Sequence, residues 1–183
     1  MFGTLIRRFA FYARLMADFS SLPFQDQSCL LKGGVLEMCV LRGALVYDPL
    51  KNRWPNANMS MYKDAPVLKL GNIGHMTSSR IFHMHMEFIN CIQQMGVDEP
   101  TIMLLVLIVL FTPERAGLIR ANWIEKYQAY YTSLLERYMS WRFGMPRSKF
   151  MFSKLLTKLS DLRELSEIHT SHNLQLGKIS TFN

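Results

Sequence analysis

Residues 102–111 read Ile-Met-Leu-Leu-Val-Leu-Ile-Val-Leu-Phe, ten apolar side chains with no interruption. A bilayer span needs about 20 such residues, so the run is too short to cross a membrane. A helix apolar on every side must instead be surrounded by other elements of a globular core. The rest of the chain therefore has to supply amphipathic segments that cover it.

Those segments are present. In 2–19, Phe2, Leu5, Ile6, Phe9, Tyr12, Ala13 and Met16 recur at helical spacing, with Arg7, Phe11, Arg14 and Asp18 on the other side. Ser20-Ser21-Leu22-Pro23 breaks the pattern, and Pro23 suits the first turn of a new helix. That helix, 24–47, is apolar over more than half its circumference and contains Gly33-Gly34, which predicts a bend or a close crossing. Turn formers then dominate 48–66, around β-capable pieces at Arg53-Trp54 and 59–62, predicting a small hairpin. Helical patterns resume over 78–95, 99–111, 116–141 and 148–174. Repeats, low-complexity tracts and linkers are lacking, so the reading is one all-α domain over 1–183 with one small β element.

Composition narrows the function. Apolar residues make up 49% of the 183, and only 19% are charged, which excludes a disordered chain. The formal net charge of +7 invites a nucleic-acid reading. The excess is scattered, however, so no direct DNA contact is expected from this chain. Cys29, Cys39 and Cys91 form no paired spacing and sit in apolar stretches, predicting buried reduced thiols and an intracellular setting. The opening residues lack a signal-peptide pattern. Nucleophile, P-loop and dinucleotide motifs are missing, which argues against an enzyme. His83 and His85, two apart on a helix, point to different sides. His169 and His172 could share a face but have no second ligand cluster, so no metal site is expected.

Four polar residues remain open. Arg42 lies among Val40, Leu41, Ala44 and Leu45, so it either joins a structural ion pair or anchors a mostly apolar ligand. His169, on a leucine-rich face, poses the same choice. Arg14 and Lys32, on either side of the proline turn near Phe11, are either solvated charges or a pair that caps the end of a docked helix.

Beyond this, the chain resembles a known family. Tyr12-Ala13-Arg14, then 19–34 (Phe-Ser-Ser-Leu-Pro-Phe-Gln-Asp-Gln-Ser-Cys-Leu-Leu-Lys-Gly-Gly), then 37–42, resemble the signature of nuclear hormone receptor ligand-binding domains. Stretches 110–117, 134–138 and 158–165 agree in the same order, nearest to the branch of the vitamin D and pregnane X receptors and their invertebrate relatives.

The resemblance implies a three-layer antiparallel helical sandwich around a lipophilic pocket. It implies ligand contacts at Leu5, Phe9, Tyr12, Met38, Arg42, Trp54, His75 and His169, and a coactivator groove at Arg14, Lys32 and Phe11. Pairing with a retinoid X receptor-type partner is implied through Leu155, Lys158, Leu159 and Leu162. Leu5 and Val46 fall where the vitamin D receptor has serines, so a broader sensor of sterol-like or xenobiotic ligands is expected. The implied role is ligand-regulated transcription in the nucleus, with a coactivator or corepressor helix as partner. The alternatives are a ligand-independent dimerisation module that sequesters a partner receptor, and a lipid carrier. Three scattered cysteines cannot supply two four-cysteine zinc sites, so no cofactor is expected here and zinc would belong to a separate DNA-binding module. The family's first helix and its C-terminal activation helix are expected to be absent, as in a fragment or a truncated product.

Overall fold

The computed structural model describes residues 2–54, 68–69 and 78–180, and side chains within 7–54 and 78–171. The elements are α1 (Phe2–Arg14), α2 (Ala17–Ser20), α3 (Phe24–Val46), β1 (Arg53–Trp54), β2 (Leu68–Lys69), α4 (Ser79–Gln94), α5 (Glu99–Leu110), α6 (Ala121–Phe143) and α7 (Arg147–Ser180). The all-α expectation holds. The antiparallel pairing of Arg53 with Lys69 and Trp54 with Leu68 is the small β element.

The apolar run is α5, and its start is specified locally. Asp98 stands in extended conformation before the first turn and accepts hydrogen bonds from the Thr101 backbone N–H (3.2 Å) and hydroxyl (2.6 Å). Such a cap is worth about 1 kcal/mol. Ile102, Leu105, Val106, Ile108, Val109 and Leu110 are all buried. Helix α3 packs on α5, α4, α1 and α7, α5 also packs on α6, and α7 packs on both α6 and α4. The pairs fit a middle layer of α3, α5 and α6 covered by α1 and by α4 with α7.

Three boundaries differ from the sequence reading. The first helix ends at Arg14, and a separate short turn of helix places Phe19 in the core, its ring edge-on to Phe111. The strand partner of Arg53-Trp54 lies beyond Pro66, whereas 59–62 fall outside the described residues. Helix α6 begins at Ala121 and not at 116, because 111–120 make an irregular crossing with Gly117 at φ +82°. The carboxylate of buried Asp26 fixes that crossing by accepting from the backbone N–H groups of Ile119 (2.6 Å) and Arg120 (3.0 Å).

Candidate functional site

Two regions collect the expected site residues. The first is the surface of α1 and α3. Arg14 and Lys32 are both exposed, on helices that pack together. Phe11 is 61% exposed, and Leu15 and Phe24 are exposed as well. Tyr12 lies here too, 64% exposed with its ring edge-on to Phe11 at 5.6 Å. Its expected place in a ligand pocket is corrected by this geometry: Ala13, the next residue, takes the inward position and Tyr12 faces out.

The second region is interior. Met38 is fully buried on α3, and Phe9 on α1 is half-buried against the core. Trp54 is buried, donates its indole N–H to the Gly43 carbonyl at 3.1 Å and leans on the Tyr47 ring at 4.7 Å. Its polar end is thus spent on closing the β element against α3. Arg42 has its acid: Glu99 at the start of α5, 3.7 Å away. His169 is half-buried on α7. His75 and the Leu5 side chain lie outside the described residues.

Sequence reasoning passed over His85. It lies on α4, which packs on α7, and burial followed by the nearby His169 lowers its pKa to about 4. The two-apart spacing correctly separated it from exposed His83, but the partner across the helix interface has no trace in spacing. The strongest buried pair was also passed over. Glu37, on α3, lies 2.9 Å from the Arg115 guanidinium. Burial pushes its carboxyl above the usual range while Arg115 pulls it back. An acid inside so apolar a helix was as legible as Arg42.

The expected dimerisation set divides. Leu155 and Leu162 are fully buried in the core, so neither presents a surface to a second chain. Lys158 and Leu159 are half-buried, and Lys158 pairs with Asp161 one turn along. The cysteines are free thiols, half-buried and not fully so, and burial pushes Cys39 up to about 12.

A cleft of about 300 Å³ opens between the ends of α3, α4 and α5, lined by Ala44, Leu45, Pro49, Ile92, Gln93, Val97 and Ile102. It stands about 10 Å along α4 from His85, so it is separate from the histidine pair. The described residues hold no cluster of three or more metal-ligating side chains, and no helix long and apolar enough to cross a membrane.

Comparison with known proteins accounts for the arrangement. Residues 3–178 match the family model described as the ligand-binding domain of nuclear hormone receptor. The chain is 26% identical over 171 residues to nuclear receptor subfamily 1 group I member 2 of Macaca mulatta, covering 93% of this chain and 38% of that protein. It is 32% identical over 171 residues to thyroid hormone receptor beta of Rattus norvegicus, covering 93% and 35%. It is 33% identical over 172 residues to the Gag polyprotein of avian erythroblastosis virus (strain ES4), covering 93% and 29%. The chain thus spans about a third of the length of the curated relatives it matches. The matched family is a binding family and not an enzymatic one, as the missing catalytic motifs suggested. This chain belongs to the family of nuclear hormone receptor ligand-binding domains.

Proposed function

We propose that this chain is the ligand-regulated part of a nuclear transcription factor. In this reading a sterol-like or xenobiotic lipophilic molecule lies between α1, α3, α4 and α7, and a coactivator or corepressor helix docks on the α1–α3 surface. One observation carries the reading: two exposed cations, Arg14 and Lys32, accompany exposed Phe11, Leu15 and Phe24 on packed helices. Cations can hold the free carbonyls at the end of a docked helix while its apolar side chains are covered. Ligand acts by favouring the conformation that binds the coregulator, in proportion to its preference for that conformation. Pairing with a retinoid X receptor-type partner would use the surface of α7 around Lys158 and Leu159. No metal or cofactor has a part in this mechanism.

The test is a fluorescence-polarisation titration of a labelled helical peptide carrying leucines at i, i+3 and i+4. Arg14→Glu and Lys32→Glu should each weaken binding by about tenfold or more, because the carbonyl end then meets an acid. Unchanged affinity in both variants overturns the groove.

A further inference from the structure

Helix α4 turns Ile81, Phe88, Ile89 and Ile92 into the core, and His85 lies on that same stripe, one turn after Ile81. Helix α7 turns Leu155, Leu162 and Leu165 inward, with His169 one turn after Leu165. The two helices pack together, so each apolar stripe brings one imidazole toward the other. Electrostatic influence of His169 on His85 places the rings within reach of each other. A buried polar pair between apolar stripes is costly unless something answers its donors and acceptors.

We infer that His85 is a specificity-determining residue of the proposed lipophilic site, selecting with His169 a neutral oxygen function, hydroxyl or carbonyl, on an otherwise apolar ligand. The inference rests on the reading of that space as a ligand site. A neutral imidazole offers one donor and one acceptor, which a hydroxyl matches with its own acceptor and donor. A carboxylate would need an imidazolium as counter-ion, and burial holds His85 down to about 4, against that charge. A plain hydrocarbon leaves both rings unanswered. Sites built to hydrogen-bond an oxygen reject analogues lacking it far more strongly than apolar pockets reject extra groups.

Three probes with one carbon chain separate these cases: 1-hexadecanol, palmitate and hexadecane, each displacing Nile red from the full chain. The alcohol should displace at about tenfold lower concentration than either of the others. His85→Leu and His169→Leu should each erase that advantage while leaving hexadecane unchanged. Equal displacement by all three overturns the inference and leaves the pocket standing. Displacement by none overturns the pocket reading itself. A measurement on the unsubstituted chain guards against a misfolded variant: the imidazole ¹⁵N signals of His85 should read as neutral at pH 5.5 and move on adding 1-hexadecanol. Static signals overturn the role assigned to His85.

Discussion

The guanidinium of Arg115 meets the carboxylate of Glu37 at 2.9 Å, and the stem of the same arginine lies against Gly33. An ion pair this enclosed joins the crossing after α5 to the middle of α3. Removing one partner strands the other charge in a place where water replaces it poorly. Glu37→Ala should therefore cost about 3 kcal/mol or more. Urea denaturation reads this as a lowered midpoint, and a double variant with Arg115→Met should lose less than the two single losses added.

The adjacent glycines should respond with opposite signs. A Cβ at Gly33 would come within 2.7 Å of Arg115 Cδ, so the arginine must leave its position beside Glu37. A Cβ at Gly34 would make only ordinary contacts, the nearest at 3.6 Å. Mid-helix alanine gains up to about 1 kcal/mol over glycine. Gly34→Ala should raise the melting temperature and Gly33→Ala should lower it.

Acid should weaken the fold through His85. Its pKa falls from 6.5 to about 4 on folding, so its contribution is complete above pH 6.5 and is lost progressively down to pH 4. The shift is worth on the order of 3 kcal/mol. Glu37 runs the other way, since its raised carboxyl takes up a proton more readily when folded. The measurement is therefore a difference: stability against pH for the natural chain minus that for His85→Leu. The gap should change by a few kcal/mol between pH 6.5 and 4, with the variant the less acid-sensitive protein.

Asp26→Ala should loosen the crossing between α5 and α6 selectively. It strips both backbone N–H groups of Ile119 and Arg120 of their acceptor, at a cost of about 1–3 kcal/mol. Limited proteolysis should then cut within 112–120 faster than in the natural chain, with α6 and α7 cleaved no sooner.

The helices were legible where apolar spacing was unambiguous: 24–47 against α3 and 99–111 against α5 agree to within a residue at each end. The start of α6 was not, because a carboxylate nearly a hundred residues upstream holds 119–120 out of the helix. Spacing identified Arg42 as an interior charge but could not choose its acid, which only the α3–α5 packing supplies. For Leu155 and Leu162 the family motif pointed to a surface, yet the same regular spacing equally describes a core face. Tyr12 and Ala13 show the same limit, where one residue of helical rotation separates interior from solvent.

Asp98 holds more than the first turn of α5. The carboxylate that caps that helix also accepts from the Tyr138 hydroxyl at 2.7 Å and the Arg142 guanidinium at 3.2 Å, both on α6. Local nucleation and tertiary docking thus share one side chain, so neither gains its full benefit while the other is undone. The run of ten apolar residues is the segment most dangerous to expose, and the latch on its open end closes only when its neighbour is already in place. Such coupling disfavours half-assembled states, in which α5 would be free to seek another chain.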